Sequence, residues 1–432
     1  PNTEADQFAW VIPLQTVPEF RVGSDPFFQN LLAGTVPTYQ LTTSFEFCGD
    51  DNEGGSEGGF DSNGSTGGPG TGTEDGESDT GAPPEVVHMQ TVGAFDVVVL
   101  EGGTVESLMT WLGENGYQQD AAAAPIFEEY LSEGYKFAAF KLSQSAEIDS
   151  IHPVVLEYEG AEACVPIRLT RIAAEEDMEI RAFFLGNYRT VPTNYRHVLV
   201  NHIKIDWLNL GGVAAQYKDL ITQAVDSFKA DGHAFVTEYA GASNVVPRFG
   251  IFSDAWDSKV FAGADPQATI DTLTNQGIME CYGDFCNYFH PLVSSVVNEF
   301  LPVPDGIDAG TFYSCLDCYA DLLDTDAWGD GQGFADAYEI RIIEPGKQAD
   351  ALLDKWPFLT RMYTTISPGE MTEDPMFHQN ESLGLVSNNI TAARTMLCNG
   401  DSVVNVPPDS DVYLPAGSNW PDFNNEMPWT ME

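Results

Sequence analysis

Two close pairs of cysteines are the residues whose spacing points most directly to chemistry. Cys281 and Cys286 stand in the string CYGDFC, and Cys315 and Cys318 stand in CLDC. Such pairs form either disulfide bonds or a zinc site of four thiolates. Zinc sites of that kind usually combine two short knuckles, whereas CYGDFC has four residues between its cysteines and the neighbours are acidic or aromatic. We therefore predict disulfides, local or crossed between the pairs, with zinc or free thiols as the alternatives.

Three further cysteines, Cys48, Cys164 and Cys398, bring the disulfide candidates to seven. An odd number leaves one thiol that is either free or paired with a partner outside this chain. Disulfides persist in oxidising compartments and are rare in the cytosol. The cysteines therefore predict a protein that works outside the cytoplasm.

An acidic stretch at 324–331 is similar to the first half of a calcium loop. Asp324, Asp326 and Asp330 stand at alternate positions before a glycine, and carboxylates at this spacing can wrap a hard cation. The match to an EF-hand is incomplete, because Trp328 occupies a ligand position and Ala335 stands where a bidentate Glu would close the loop. We expect either a calcium site at the three aspartates or a solvated acidic turn, and predict no other cofactor.

The sequence contains only weak matches to known catalytic motifs. Residues 54–58 match the G-x-S-x-G pattern of serine hydrolases, but they lack the flanking strand and helix that strain the nucleophile's turn. His197 and His202 are the closest histidine couple, and their separation of five positions places them on opposite faces of a regular strand. No pattern links the other histidines to a nucleophile.

The elements that would position these residues follow from hydrophobic periodicity. Alternation predicts strands in the first half, and apolar residues three and four apart from Val213 to Phe228 predict an amphipathic helix. The predicted strands are 8–12, 39–47, one or two within 86–100, 136–142, 154–158, 164–172, 178–185, 195–205 and 338–343. The other predicted helices are 27–33, 104–111 capped by Thr104, 125–131, 268–273, 291–300 and 349–363, the last interrupted at Pro357.

This order of elements predicts an α+β fold with a largely antiparallel sheet in the first half, amphipathic helices packed on it and a helix-richer second half. We predict a sheet domain at 1–205 that contains a disordered acidic Gly-rich loop at 49–82. A helix-rich, Cys-containing domain at 206–345, a helical segment at 346–400 and an extended acidic arm at 401–432 follow. No apolar run is long enough to predict a transmembrane segment.

The charge of the chain restricts its partners. Acidic residues number 66 against 18 basic ones, a formal net charge of -48. The loop at 49–82 holds nine carboxylates, so 48 minus 9, or about 39, negative charges remain for the folded body. Such a surface repels nucleic acid and requires counter-ions, which favours saline or calcium-containing surroundings. A cationic polymer, a basic protein or a calcium-bridged anionic polysaccharide is the more compatible partner.

Several strings together resemble a secreted bacterial family known as domain of unknown function 2330. They are QFAWVIPL at 7–14, TWLGENGY at 110–117, FAAFKLS at 137–143, VPTNYRHVLVN at 191–201, HAFVTEYAG at 233–241 and FLTRMYTTISPGEMTEDPMF at 358–377. The resemblance spans about residues 7–400 and implies export, an oxidising compartment and disulfides. It supplies no catalytic residues.

The resemblance also implies that a Cys-rich segment and further strands precede QFAWVIPL in family members. Without them, the strand at 8–14 would be an open sheet edge. We expect that another chain, a second copy or a cleaved N-terminal fragment completes this edge.

These observations favour an exported, non-enzymatic surface or extracellular protein that works by assembly or adhesion and is associated with cations. A secreted hydrolase or metal-assisted enzyme with a site assembled from scattered residues is the alternative. A soluble module that binds a small ligand or a cation is the third possibility.

Overall fold

A computed structural model of the protein describes residues 9–48, 83–117, 119–143, 150–158 and 163–430. Phe8, the loop at 49–82 and the G-x-S-x-G match at 54–58 lie outside these residues. The chain is about 33% helix and 30% strand, and most strand pairs are antiparallel. The predicted α+β class and the largely antiparallel sheet are therefore confirmed.

The strands are β1 (Ala9–Leu14), β2 (Glu19–Val22), β3 (Thr38–Phe45), β4 (Glu85–Val92), β5 (Phe95–Glu101), β6 (Lys136–Leu142), β7 (Val154–Glu157), β8 (Ala163–Cys164), β9 (Met178–Gly186), β10 (Thr190–Pro192), β11 (Arg196–Val200), β12 (Ala234–Ala242), β13 (Met279–Tyr282), β14 (Phe285–Tyr288), β15 (Phe358–Ile366), β16 (Met376–Gln379), β17 (Asn389–Met396), β18 (Ser402–Val406), β19 (Ser410–Leu414) and β20 (Trp429–Thr430). The helices are α1 (Asp25–Thr35), α2 (Val105–Glu114), α3 (Ala124–Ser132), α4 (Val213–Val225), α5 (Thr269–Asn275), α6 (Val293–Phe300), α7 (Ala309–Ser314), α8 (Thr325–Trp328), α9 (Gln332–Tyr338) and α10 (Glu344–Lys355). Among the described residues, no helix has both the length and the apolar composition that a membrane span needs.

An N-terminal sheet has the order β1-β6-β5-β4, and all its pairs are antiparallel. Val98, Val99 and Leu100 of β5 have no exposed surface. The helices α2 and α3 cover one face of this sheet, and the paired strands β2 and β7 cover the other. β1 pairs with β6 on one side, and no other described strand lies on its second side, so β1 is an edge strand.

The start of α2 confirms a local prediction. Thr104 is the N-cap, and its hydroxyl accepts a hydrogen bond from the Ser107 backbone N–H at 3.3 Å. This bond satisfies one of the amides that the first helical turn leaves without a partner. Gly116, just beyond the end of the helix, has a φ of 80°, a conformation that a residue with a Cβ rarely adopts.

A central sheet has the order β20-β11-β12-β15-β9. β11 and β12 are parallel, and the remaining pairs are antiparallel. Its strands come from all four predicted segments, because β9 and β11 precede residue 205, whereas β12, β15 and β20 come from the second, third and fourth. The predicted division therefore does not correspond to separate sheets. The predicted contrast between a sheet-rich first half and a helix-rich second half is not confirmed, because strands and helices alternate in both.

A C-terminal sheet packs with α4 against one face of the central sheet. Its order is β19-β18-β17-β3, with β17 and β3 parallel. The predicted extended arm after residue 400 is wrong for β18 and β19. Val404, Val406, Val412 and Leu414 are buried at alternate positions there, so each strand presents one face to the core. The other face of the central sheet is covered by the small sheet β10-β16-β8.

Two further predictions around the last long helix are wrong. Residues 339–343, predicted as a strand, form a π-helical turn that connects α9 to α10. The predicted helix at 349–363 ends at Lys355, and the residues beyond Pro357 form β15. A residue before proline is pushed out of the helical region, and the β-branched residues that follow suit a strand.

Candidate functional site

The site with the clearest binding features is a cleft where the central and C-terminal sheets meet. It has a volume of about 360 Å³, within the range of small-molecule sites. β11, β12 and α4 form one wall, and the loop before β17 together with the β18–β19 turn forms the other. Its polar side chains include His202, Tyr217, Thr237, Glu238, Ser387 and Thr430, and most of the remaining wall is apolar.

Glu238 is the charged residue of this cleft. It is the extra residue of a β-bulge, because Thr237 pairs with Met362 and Tyr239 pairs with Arg361, leaving Glu238 without a position in the register. Bulges re-aim a side chain and are frequent next to functional sites. The bulge places a carboxylate on the face of β12 that also carries buried Val236.

The Glu238 carboxylate forms a buried ion pair with Arg361. Arg361 Nε donates a hydrogen bond to Glu238 Oε2, and the two side chains are 4% and 2% exposed. Arg361 Nη1 also donates to the hydroxyl of Thr35 at 3.3 Å and to the carbonyl of Leu32 at 3.4 Å, both in α1. The guanidinium therefore faces α1, and the carboxylate faces the cleft. Burial raises the pKa of Glu238, although Arg361 acts in the opposite direction.

Two tyrosines approach the same carboxylate. The Glu238 carboxylate is close enough to the Tyr217 and Tyr39 hydroxyls for its charge to contribute to a raised pKa of both. Burial is the main cause that raises the pKa of both tyrosines well above the usual value, so both hydroxyls stay protonated. The rings of Tyr39 and Tyr217 lie 5.7 Å apart, and Tyr39 also contacts Trp207 and His202.

Several buried polar atoms around the cleft have no hydrogen-bond partner within the described part of the chain. They are Tyr39 Oη, His202 Nδ1, Trp429 Nε1 and Thr430 Oγ1. A buried polar atom without a partner costs about 1–3 kcal/mol, and native proteins leave few of them. Burial lowers the pKa of His202 to about 4, so its imidazole is neutral at physiological pH. Of these residues, His202 and Thr430 line the cleft, and their unpartnered atoms indicate a place where a polar molecule binds.

The cysteines confirm the disulfide prediction. Cys48 pairs with Cys398, Cys281 with Cys286 and Cys315 with Cys318, at S–S distances of 1.96, 1.96 and 2.07 Å. The two close pairs are thus bonded locally rather than crossed, and bonded sulfurs are not thiolate ligands for zinc. Cys164 is the free thiol, and burial raises its pKa to about 12.

The aspartates of the predicted calcium site lie around α8. Asp324 caps this helix by accepting from the backbone N–H groups of Asp326 and Ala327, and Asp330 accepts from Gln332 N–H. Within the described ranges, no group of three or more His, Cys, Asp or Glu side chains could hold a metal ion. Calcium binding here stays a prediction.

The closest histidine couple does not share a strand, because β11 ends at Val200 and not at residue 205 as predicted. His197 lies in β11 and hydrogen-bonds to Arg189 and Thr237, whereas His202 lies beyond the strand, in a short 3-10 turn beside the cleft. The structure therefore places only His202 at the candidate site.

Glu238 and Arg361 were missed as site residues. Both stand inside strings that carry the family resemblance, HAFVTEYAG and FLTRMYTTI, where a single charged residue interrupts an otherwise uncharged strand. A charge in a buried strand requires a partner, so one acid and one base in two such strands were an available signal. The sequence did not show that these strands are neighbours.

Comparison with known proteins places the chain in a family without assigning an activity. The family described as "Uncharacterized protein conserved in bacteria (DUF2330)" matches residues 2–248, more than half of the 432-residue chain. No curated protein and no solved structure matches the chain. The matched residues contain β1 to β12, including the bulge at Glu238, while β15 and most of the C-terminal sheet lie outside them. The chain belongs to the DUF2330 family of bacterial proteins.

Proposed function

We propose that the protein is an exported, non-enzymatic binding protein and that the cleft at Glu238 is its ligand site. The observation that carries this proposal is that two residues lining the cleft, His202 and Thr430, each have a buried polar atom that finds no partner among the described residues. Their desolvation is offset when a bound molecule supplies the missing hydrogen bonds. A pocket with apolar walls and a few convergent polar groups is the usual form of a small-molecule site.

The positions of the disulfides support export. Cys48–Cys398 joins residues that follow β3 and β17. Cys281–Cys286 joins β13 to β14, and Cys315–Cys318 closes the turn that follows α7. In a reducing cytosol these bonds would not persist. Labelling of thiols in protein taken from its native location tests this point. Export predicts one reactive cysteine per chain after unfolding, Cys164, whereas seven would contradict it.

A ligand screen with one paired set of variants tests the binding proposal. Ser387 and Ser382 are exposed serines of the same loop, and each contacts an asparagine two positions away, but only Ser387 lines the cleft. We expect Ser387→Trp to occlude the cleft and Ser382→Trp to leave it open. Thermal-shift measurements with sugars, amines, alcohols and short carboxylic acids should find at least one class that stabilises wild type and the Ser382 variant but not the Ser387 variant. If no class does so, the proposal is wrong.

An enzyme is the second candidate, because Glu238 and His202 line the same cleft. A carboxyl group with a raised pKa beside a neutral imidazole is an arrangement that acid–base catalysis uses. A secreted hydrolase or metal-assisted enzyme would consume the molecule that binds. Mass spectrometry of a stabilising compound after long incubation distinguishes the two candidates, since a binding protein returns it unchanged.

Assembly through β1 is a separate proposal for partners. Ala9–Leu14 has β6 on one side only among the described strands, and Trp10 in it is 48% exposed. Another chain, a second copy or a cleaved N-terminal fragment would add a strand there. Intact mass and sizing of native material test this idea, and a monomer of one polypeptide with fast amide exchange along β1 would contradict it.

A further inference from the structure

The charges in the wall of the cleft restrict which ligand it accepts. Glu238 is the acidic residue among the described lining side chains, and none of these side chains is Lys or Arg. Arg361 balances the charge of Glu238 but extends away from the cleft to Thr35 and Leu32 in α1. His202 contributes no positive charge near neutral pH. The described lining of the cleft therefore presents a carboxylate and no Lys or Arg side chain.

The neighbouring hydrogen-bonding groups also suit a donor. The hydroxyl oxygens of Tyr217 and Thr430 belong to residues that line the cleft and can accept a hydrogen bond, and Thr430 Oγ1 has no partner among the described residues. The rings of Tyr217 and Tyr39 present aromatic surface close to the carboxylate, and aromatic rings attract cations. An anion in the cleft would be repelled by Glu238 and would meet no Lys or Arg side chain in the described lining.

The rest of the wall is apolar. Val200, Val236, Ile390 and the Pro407–Pro408 pair line it. A ligand that fills about 360 Å³ here must therefore carry alkyl or ring carbon next to its charged group. The net charge of the chain, -48, also raises the local concentration of small cations around any opening in the surface.

From this juxtaposition we propose that the cleft binds an organic cation, an amine with an apolar portion, whose ammonium group is held by Glu238, Tyr217 and Thr430. This proposal rests on the proposed binding function and specifies its ligand class. Primary and quaternary amines share the required charge and apolar contact; the two differ in that only a primary amine donates hydrogen bonds to the tyrosine and threonine oxygens.

Calorimetric titration with molecules of matched shape tests the proposal. n-Butylammonium, 1-butanol and butyrate have the same alkyl chain and differ in the charged or polar group. Tetramethylammonium adds a cation that cannot donate a hydrogen bond. We expect n-butylammonium to bind at least about tenfold more tightly than 1-butanol, because a charge-assisted bond at a partly desolvated site is worth more than a neutral one. Butyrate should not bind.

Variants at an exposed lining position provide a control that does not disturb the core. Leu385 is 77% exposed and lines the mouth of the cleft. Leu385→Glu should tighten n-butylammonium binding by about two- to threefold, and Leu385→Arg should weaken it by a similar factor, since exposed charges interact weakly through water. Neither variant should change the binding of 1-butanol. Glu238→Gln should weaken the amine by about tenfold or more, provided that circular dichroism shows the native fold.

Each outcome decides between the two levels of the proposal. If 1-butanol binds as tightly as n-butylammonium, or if the Leu385 variants act equally on both, the cation inference is wrong while the binding function stands. The same conclusion follows if a sugar or carboxylate from the screen stabilises wild type but not the Ser387→Trp variant, and the amines do not bind. If no compound in either experiment binds, both the inference and the proposed function are wrong.

Discussion

The Glu238–Arg361 ion pair connects β12 and β15 to α1 and also places a carboxylate in the wall of the cleft. Burial of two charges costs several kcal/mol, and a buried pair is seldom a net gain over apolar residues of the same volume. Its retention at a β-bulge beside a cleft is therefore better explained by what the carboxylate does than by stability. Arg361 also contacts carbonyl and hydroxyl groups in the last turn of α1, where a cation is favoured by the helix dipole.

Removal of the arginine alone should be costly. We expect Arg361→Met to lower the free energy of unfolding at pH 8 by about 3–5 kcal/mol, because it leaves the Glu238 carboxylate buried without its cation. The double change Glu238→Gln with Arg361→Met should recover part of this loss. The pKa of Glu238 is already raised in the folded protein, so the single variant should lose less at pH 5, where the folded carboxyl can be protonated. Urea unfolding at both pH values measures this, and equal losses for single and double variants would contradict the argument.

Asp226 offers a second prediction at this scale. It follows the end of α4 and is exposed, yet its partial burial together with the nearby Glu370 and Asp177 raises its pKa to about 6 from 3.8. Between these values the folded protein binds a proton that the unfolded chain does not, so stability falls as pH rises through this window. Asp226→Asn should therefore raise the melting temperature at pH 7.5 and give no gain below about pH 4. Asp219 is another exposed aspartate, within α4, and Asp219→Asn is the control. It should leave the melting temperature unchanged at both pH values.

At the scale of elements, the helices and strands that were predicted correctly are those whose sequence pattern lies within one short stretch of the chain. The cap of α2 at Thr104, the helical spacing of α4 and the alternation in β6 each appear in a stretch of ten or so residues. The turn at 339–343 was missed because an apolar run of that length suits a strand or a buried helix equally well. Its helical conformation is set by the flanking helices α9 and α10.

The cleft could not be predicted from the sequence, because it depends on pairing between strands that are distant along the chain. Glu238 meets Arg361 only because β12 pairs with β15, and the cleft closes only because β3 pairs in parallel with β17, about 350 positions away. Long-range pairing of this kind has no signature in a single sequence. The bulge that turns Glu238 toward the cleft is likewise a product of register, because it appears where β12 has one residue more than β15.

The disulfides allow a prediction about elements. Cys48–Cys398 closes a sequence separation of 350 residues, whereas Cys281–Cys286 closes one of 5. A crosslink stabilises mainly by restricting the unfolded chain, and the effect grows with loop length. Replacing both members of the long pair by serine should cost about 4–6 kcal/mol of unfolding free energy, and replacing the short pair about 2 kcal/mol. Chemical unfolding under non-reducing conditions compares the two, and a larger loss for the short pair would contradict the entropic account.

At the scale of the whole molecule, charge is the dominant feature. Within the described residues, nine of the 18 basic side chains form ion pairs with acids, as in Arg168 with Glu133 and Asp374 or Arg248 with Asp350 and Asp354. The net charge of -48 already counts these basic residues, so an excess of 48 acidic residues has no basic counterpart in the chain. Self-repulsion of this excess opposes the compact state and is screened by dissolved ions.

Stability should therefore depend on salt in a way that separates screening from specific binding. Raising NaCl from 10 mM to 500 mM should increase the melting temperature by about 3–6 °C, because the screening length falls from about 30 Å to a few ångströms. CaCl₂ at the same ionic strength should give a further increase if Asp324, Asp326 and Asp330 bind calcium. Asp326 is exposed and Asp324 uses its carboxylate to cap α8, so Asp326→Asn is the change that removes a ligand without removing the cap. It should abolish the part of the shift that is specific to calcium, whereas Asp321→Asn, an exposed aspartate nearby, should not. A calcium shift equal to that of NaCl would leave screening as the whole effect and would remove the predicted cation site.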